Sequence, residues 1–124
     1  MIAFALITAM LTSAPSGEGW RVIDGDTLAL GEERLRLESI DTPERQWRAG
    51  CDAEFRLAEL ASRRVEHLIR EAQTIEIERS GQDYYRRTLA TVHVDDRTIS
   101  AVLIEEGLAV AWSGRRHDWC APRG

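Results

Sequence analysis

The segment WRVIDGDTLALGEERLRLESID alternates apolar and polar residues, and this pattern constrains the fold more than any other part of the sequence. Turn-forming glycines at Gly25 and Gly31 divide the segment into three short strands. In the third strand, Leu35 and Leu37 face one side and Arg36 faces the other, because successive side chains of a strand point to opposite faces. The segment therefore predicts an antiparallel meander with one apolar face.

A helical pattern follows the meander, in the segment CDAEFRLAELASRRVEHLIREA. Its apolar residues recur at helical spacing and define one face: Leu57, Ala61, Val65 and Leu68. Asp52 stands at the start of the segment, where an aspartate caps the first turn of a helix well. We therefore expect an amphipathic helix that has Asp52 as its N-cap and packs against the sheet.

The second half of the chain continues with strands, a turn and a shorter helix. QTIEIER alternates as a fourth strand, the polar segment SGQDYY predicts a turn, and RRTLATVHV predicts a fifth strand. TISAVLIEEG predicts a short helix with Gly107 as its C-terminal cap, and LAVAW is a final extended piece.

The order of these elements predicts a small α+β domain that is mainly β. Five strands, with one helix after the third and another at the end, are typical of a partly open five-stranded barrel of the oligonucleotide/oligosaccharide-binding (OB) kind with two packed helices. A two-layer α+β sandwich is the alternative. A chain of 124 residues is long enough for one such core and too short to be divided.

The first nineteen residues hold an apolar run without a basic residue, followed by small residues, Pro15 and Gly17. This pattern resembles a short secretory signal peptide, and the run is too short for a comfortable membrane span. We therefore expect residues 1–19 to direct export to the periplasm or the medium, and residues 20–124 to form the domain. An uncleaved N-terminal anchor and an ordinary first strand are the alternatives.

The two cysteines, Cys51 and Cys120, fit an exported protein with one disulfide. Such a bridge would close a loop of about 70 residues and stabilise the fold by roughly 4 kcal/mol in the chain-entropy model. The alternatives are two unrelated buried cysteines, or a zinc site that adds His117. The zinc site is the weakest of the three, because no close Cys or His pair has the usual structural spacing.

The formal net charge of -5 argues against a protein that holds nucleic acid by bulk electrostatics, because neutralising phosphates needs a basic face. All sixteen basic residues are arginine, whose planar guanidinium suits bidentate contact with phosphate or carboxylate. Local binding of an anionic substrate is therefore compatible with the composition.

Acidic residues follow two of the predicted strands. Asp24 and Asp26 lie in VIDGDT, and Asp41 and Glu44 lie in IDTPE. If their strands are neighbours in the meander, Asp26 and Asp41 are placed to share one cation, and two carboxylates with a backbone carbonyl suit Ca²⁺ or Mg²⁺. Glu44 is then free to position a water as general base. The alternative is that these are four unrelated turn acids.

Two arginines are candidates for phosphate binding. Arg36 precedes Asp41 by five residues, and Arg87 lies at the start of the fifth strand. Around a metal-bound phosphodiester, the two guanidinium groups would neutralise the charge that develops on the phosphorus oxygens. The alternative for each arginine is a surface ion pair with a nearby acid.

VIDGDT, RLRLESIDTPE and DYYRRTLA occur in this order, with a helix between the last two, and together they resemble the staphylococcal nuclease (thermonuclease) family. The resemblance runs from about Trp20 to Trp112. It implies an OB-fold barrel with packed helices and a Ca²⁺-dependent phosphodiesterase. The implied substrates are single-stranded DNA and RNA, and the implied products carry 3′-phosphates. We expect the protein to act as a monomer.

The resemblance also implies a role for each matching position. The implied roles are calcium ligation by Asp26, Asp41 and the Thr42 carbonyl, general base catalysis by Glu44, phosphate binding by Arg36 and Arg87, an outer carboxylate at Asp24, and substrate contact by Tyr85.

Two departures from the family pattern bear on these roles. Where the family reads Tyr-Gly-Arg, this chain reads Tyr85-Arg86-Arg87, so a bulky side chain fills a turn position that glycine relaxes. Arg86 is therefore an alternative to Arg87 as a substrate-binding residue. The sequence also lacks the long C-terminal helix of the best-known members, and we infer that a Cys51–Cys120 bridge replaces some of that packing.

A catalytically silent nucleic-acid or protein-binding module is the main alternative to a nuclease, because folds of this type serve many functions. A calcium-binding envelope protein without a nucleic-acid substrate is a third possibility. The presence of the acids and the arginines together favours the enzyme.

Overall fold

A computed structural model describes residues 11–14 and 18–121, with Gln46 described by its backbone alone. The long helix α1 spans Asp52–Glu71 and the short helix α2 spans Ile99–Glu105. The strands are β1 (Leu11–Ala14), β2 (Trp20–Asp24), β3 (Thr27–Leu30), β4 (Glu33–Leu37), β5 (Ile40–Asp41), β6 (Ile75–Gln82), β7 (Thr88–Val94), β8 (Arg97–Thr98) and β9 (Val110–Ala111).

The main sheet has the strand order β1-β6-β7-β4-β3-β2, with β8 paired to β7, and a separate pair joins β5 to β9. The β4–β7 contact is parallel and the other contacts are antiparallel. The path from β1 to β2 is open and does not close into a barrel. The mixed α+β architecture with two helices confirms the predicted partly open OB-like class.

The predicted meander is confirmed in β2, β3 and β4. Val22 pairs with Leu28, and Leu28 pairs with Leu35, so the apolar residues of the three strands lie side by side. Leu28, Leu35 and Leu37 are buried, whereas Arg36 is half-buried on the opposite face. The alternation in the sequence therefore separates a core face from a face that carries charge.

Helix α1 packs its apolar face against the sheet, as predicted. Ala61, Val65 and Leu68 are buried, and Leu57 is half-buried. The prediction that Asp52 caps the helix is wrong, because Cys51 occupies that position: its backbone is extended and its Sγ accepts from the Glu54 N–H at 3.4 Å. Asp52 is the first helical residue.

The boundaries of β6 and β7 differ from the prediction. β6 extends through Ser80, Gly81 and Gln82, a stretch that was predicted to begin a turn, and β7 begins at Thr88. An irregularity in the pairing between Arg79 and Gly81 lets the polar stretch stay in the ladder. The turn is consequently short and spans residues 83–87.

The last predicted elements are confirmed. Helix α2 is followed by Gly107 with a φ of 75°, the left-handed backbone that ends a helix. The extended piece after it narrows to β9. The core lies between the sheet and the two helices, and its largest fully buried side chains include Leu28, Leu35, Leu37, Val65, Ile75, Ile77, Val92, Ile99, Val102 and Leu103.

Residues 1–19 were predicted to direct export, and of these, residues 1–10 and 15–17 lie outside the described part of the chain. Leu11–Ala14 form β1, which pairs with Ile75–Glu78 of β6. The export signal stays a prediction. Of the helices in the described ranges, none is long and apolar enough to span a membrane.

The predicted disulfide is present. Cys51 is bonded to Cys120, with 6.0 Å between the two Cα atoms. Because both cysteines are used, the alternative zinc site is not formed. We call residues 112–120, which run from β9 to this disulfide, the C-terminal strap.

Candidate active site

An open cleft of about 720 Å³ lies where the β2–β3 turn, β4, β5, the turn at residues 83–87 and the C-terminal strap meet. Four carboxylates and five guanidinium groups line it, so the cleft is locally balanced in charge although the chain is acidic. Its lining residues are Ile23, Asp24, Asp26, Thr27, Arg34, Arg36, Asp41, Glu44, Arg48, Tyr85, Arg87, Trp112 and Arg116.

Asp26 and Arg36 meet because β3 and β4 pair with Thr27 opposite Arg36. Arg36 Nη2 lies 3.3 Å from Asp26 Oδ2, and Thr27 Oγ1 donates to Asp26 Oδ1 at 3.0 Å. Arg36 also donates to the carbonyls of Leu37 at 2.5 Å and Ile40 at 3.0 Å. The bend between β4 and β5 therefore holds the guanidinium at the edge of the cleft.

Asp41 ends β5 and is only 6% exposed. Its Oδ2 accepts from the backbone N–H of His117 at 2.7 Å, so the strap holds one oxygen of this carboxylate. The next residue, Thr42, is buried and is not among the residues that line the cleft. The structure thus places Asp41 in the lining of the cleft and leaves Thr42 outside that lining, and their roles as metal ligands stay predictions.

Glu44 lies at the cleft with both its main chain and its side chain held. Its N–H donates to Glu54 Oε2 at 2.8 Å, and its Oε1 accepts from Arg116 Nη1 at 2.7 Å. Burial raises the pKa of the Glu44 carboxyl above its ordinary value, and the Arg116 guanidinium opposes this rise. The carboxylate is therefore partly desolvated beside a cation.

Asp24 lines the same cleft as Asp26, and its role as an outer carboxylate stays a prediction. Burial, and then the negative charge of Asp26, raise the pKa of Asp24 above its ordinary value. Arg45, Arg48 and Arg87 act in the opposite direction. The pKa of Asp24 therefore depends on both the acidic and the basic residues around it.

Asp83 organises the turn that presents Arg87. Its Oδ1 accepts from the N–H groups of Tyr85 and Arg87, both at 2.9 Å, and its Oδ2 accepts from Arg87 Nε at 2.7 Å. The Arg87 guanidinium lies 5.5 Å from the ring centre of Tyr85, and both residues line the cleft. Arg86, the predicted alternative to Arg87, has a φ of 64° and lies on the exposed turn, and it does not line the cleft.

The donor groups of the cleft fit a hard cation. Asp26, in the β2–β3 turn, and Asp41, at the end of β5, both line the cleft, and carboxylate oxygens are ligands that suit Ca²⁺ or Mg²⁺. Within the described part of the chain, no three His, Cys, Asp or Glu side chains converge so as to hold a metal ion by themselves. A cation here would therefore need backbone, water or substrate oxygens as well.

Arg116 and Glu54 contact Glu44 directly, and neither residue was among the predicted site residues. Arg116 lines the cleft, and the Cys51–Cys120 disulfide joins the end of its strap to the segment that follows IDTPE. The sequence did contain a signal for Arg116: the predicted Cys51–Cys120 pairing brings the basic pair Arg115-Arg116 near the segment that follows IDTPE. Glu54 resembled one of several solvated acids on the polar side of α1, and nothing in the helical pattern distinguished it.

Comparisons with known proteins show the family to which the chain belongs. A family model described as staphylococcal nuclease homologue matches residues 34–120. The chain is 26% identical over 123 residues to an uncharacterized endonuclease of Haemophilus influenzae, an alignment that covers 95% of this chain and 64% of that protein.

Two further relatives are named as nucleases. A thermonuclease of Staphylococcus intermedius is 35% identical over 95 residues, which cover 73% of this chain and 56% of the relative. A micrococcal nuclease of Shigella flexneri is 30% identical over 128 residues, which cover 89% of this chain and 68% of the relative. The chain thus spans about half to two thirds of the length of these curated relatives.

Proposed function

Because the chain belongs to the staphylococcal nuclease homologue family, we propose that it is a nuclease that hydrolyses the phosphodiester bonds of single-stranded DNA and RNA. One observation carries this proposal: residues from all three motifs line one open cleft, namely Asp26 of VIDGDT, Arg36, Asp41 and Glu44 of RLRLESIDTPE, and Arg87 of DYYRRTLA. A protein that only binds nucleic acid has no need for a partly buried carboxylate such as that of Glu44 in the same cleft as the phosphate-binding arginines.

We assign Glu44 as the general base. Its carboxylate takes a proton from a water molecule, and the water oxygen bonds to phosphorus on the side opposite the 5′ oxygen of the next nucleotide. The bond between phosphorus and that 5′ oxygen breaks, and the leaving oxygen gains a proton. The products are then a 3′-phosphate and a 5′-hydroxyl.

Arg36 and Arg87 are assigned to the non-bridging phosphate oxygens. Each guanidinium is already fixed by main-chain or side-chain partners, so little reorganisation is needed when charge develops on those oxygens. Arg87 also lies beside the leaving oxygen in this assignment. Tyr85 packs against the nucleotide that flanks the scissile phosphate.

Ca²⁺ is the proposed cofactor. Asp26 and Asp41 would hold it together with the Thr42 carbonyl, and it would neutralise phosphate charge and polarise the phosphorus centre. Asp24 would act from outside this ligand set. We further propose that the protein is exported under the direction of residues 1–19 and that it acts as a monomer.

The proposal is tested with pure oxidised protein, 5′-labelled single-stranded DNA and RNA, and millimolar Ca²⁺ or a chelator. We expect cleavage with Ca²⁺ alone, and fragments whose 3′ ends become extendable after phosphatase treatment. Arg36→Gln should lower kcat by about 10²- to 10³-fold, the usual cost of losing one charge-stabilising donor. Arg21→Gln, an exposed arginine of β2, serves as the matched control. A folded wild type that leaves both substrates intact would refute the proposal and favour a silent binding module.

A further inference from the structure

The C-terminal strap is held to the rest of the molecule at a small number of points. Residues 112–118 are exposed, and Trp119, which is 5% exposed, is its one buried side chain. The disulfide from Cys120 fixes the end of the strap beside the N-terminus of α1. A segment that buries so little apolar surface depends on its tether, because ordering a free chain costs about 1–2 kcal/mol per residue.

Two strap residues contact the two carboxylates of the IDTPE segment. The His117 N–H donates to Asp41 Oδ2, and Arg116 Nη1 donates to Glu44 Oε1, both at 2.7 Å. Arg116 also lines the cleft. The strap therefore contacts both the predicted metal ligand Asp41 and the proposed general base Glu44.

Glu54 connects these contacts into one network. This α1 residue is 3% exposed, and its Oε2 accepts from both Arg116 Nη2 and the Glu44 N–H, the latter at 2.8 Å. Its Oε1 accepts from the Gly50 N–H at 2.8 Å. A carboxylate so deeply buried requires hydrogen bonds and a cation. Glu54 thus fixes the main chain of Glu44 and, at the same time, fixes the guanidinium that holds the Glu44 side chain.

We propose that Arg116 is a positioning residue for Glu44, and that the Cys51–Cys120 disulfide places Arg116 by tethering the strap. The inference rests on the proposed function, because it concerns Glu44 in its role as general base. A charge-assisted hydrogen bond to Oε1 restricts the rotation of the carboxylate, and a base held in one orientation reacts faster than a mobile one. The guanidinium suits this task because its fork bridges two carboxylates, which an ammonium group does less well.

The first experiment compares kcat and KM of three single variants on the labelled oligonucleotide. We expect Arg116→Gln to lower kcat by about 10- to 100-fold, the range that a misplaced catalytic group costs, and to leave KM within about twofold. Arg116→Lys should recover part of kcat. Arg115→Gln is the matched control, because Arg115 is the exposed neighbour that does not line the cleft, and it should behave as the wild type.

The second experiment tests the tether. Cys51→Ala/Cys120→Ala should lower kcat to a similar degree, and the addition of Arg116→Gln to this double variant should change kcat by less than about twofold, because coupled residues are not additive. Melting temperatures of all variants are measured, and rates are compared where every variant is folded. A cycle of Glu44→Gln and Arg116→Gln on the melting temperature should also be non-additive, which tests the contact without any assay of activity.

The outcomes that overturn the inference are distinct. An unchanged kcat in Arg116→Gln would mean that the contact does not affect catalysis, and a raised kcat would mean that it inhibits Glu44. An effect on KM alone would mean that Arg116 binds substrate. If the losses of kcat from the cysteine substitutions and from Arg116→Gln multiply in the combined variant, the disulfide does not place Arg116. If the shifts in melting temperature of Glu44→Gln and Arg116→Gln add, the two side chains do not stabilise each other. Failure of the proposed function looks different: wild type and Arg115→Gln would then both leave the oligonucleotide intact, and the inference would fall with it.

Discussion

At the scale of single residues, Arg86 shows how one departure from the family pattern is accommodated. It has a φ of 64°, a left-handed conformation that costs an L-residue with a Cβ about 1–2 kcal/mol. The surrounding turn still forms because Asp83 accepts from two backbone N–H groups and from the Arg87 side chain. The orientation of the Arg87 side chain is therefore set by Asp83 and does not require glycine at position 86.

Arg86→Gly should raise the free energy of unfolding. Relief of the left-handed strain outweighs the greater entropy that glycine gives the unfolded chain, so we expect a gain of up to about 1 kcal/mol. Urea or thermal unfolding measures the change. Arg86→Ala keeps a Cβ and should show no such gain, and a glycine variant less stable than the alanine variant would contradict the strain argument.

At the scale of elements, side-chain contacts tie strands together across the sheet. Arg79 of β6 donates to both carboxylate oxygens of Glu33 in β4, at 2.9 and 2.7 Å, and Thr88 of β7 donates to the same carboxylate at 2.9 Å. The hydrogen bonds from Arg79 hold the pKa of the Glu33 carboxyl below its ordinary value. This cluster joins β4 to β6 and β7, the two strands that flank the turn with Arg87.

The Glu33 cluster should make stability depend on pH. Because its folded-state pKa is lowered, the carboxylate stabilises the fold above the unfolded value of about 4.5, and the contribution is lost as the pH falls through the folded value. Glu33→Gln should therefore cost at most about 1 kcal/mol at neutral pH, since the pair is partly exposed and screened. Unfolding measured from pH 7 to pH 3 should show the difference from wild type shrinking toward acid. A difference that grows toward acid would contradict this assignment.

The contact between α1 and the β2–β3 turn depends on the absence of a side chain at Gly25. A methyl group there would lie 2.9 Å from the Cβ of Ala61 and 3.4 Å from Thr42. Gly25→Ala should therefore lower the free energy of unfolding by about 1–3 kcal/mol, as overpacking does in a close-packed core. Ala61→Gly should restore part of the loss in the double variant. Equal stability of Gly25→Ala and the wild type would mean that α1 is not seated as described.

At the scale of the whole molecule, the disulfide joins the strap to α1 across 69 residues of sequence. Closing a loop of this size removes entropy from the unfolded chain worth about 4 kcal/mol in the chain-entropy model. Reduction with dithiothreitol should therefore lower the melting temperature. An unchanged melting temperature under reducing conditions, with both thiols shown to be free, would contradict this prediction.

Local patterns predicted much of the fold, and together with the family resemblance they named candidate residues that line one cleft. The meander, α1 and the acids of VIDGDT and IDTPE follow from alternation and turn residues, which depend on neighbours in sequence. The extension of β6 through Gly81 was missed because an irregular ladder is decided by the partner strand and not by local propensity. Arg116 and Glu54 were missed because their positions depend on the closure of the disulfide and on burial, which no local pattern encodes.

The most direct test of the central claim is the cleavage of a labelled single-stranded oligonucleotide by the wild type and by Glu44→Gln, with Ca²⁺ and with chelator. Glu71→Gln, an exposed glutamate at the end of α1, is the control for the loss of one carboxylate. We predict Ca²⁺-dependent cutting by the wild type and the control, and a loss of at least about 10²-fold in Glu44→Gln, the contribution of a general base. Cutting by folded Glu44→Gln at the wild-type rate, or no cutting by any of the three, would contradict it.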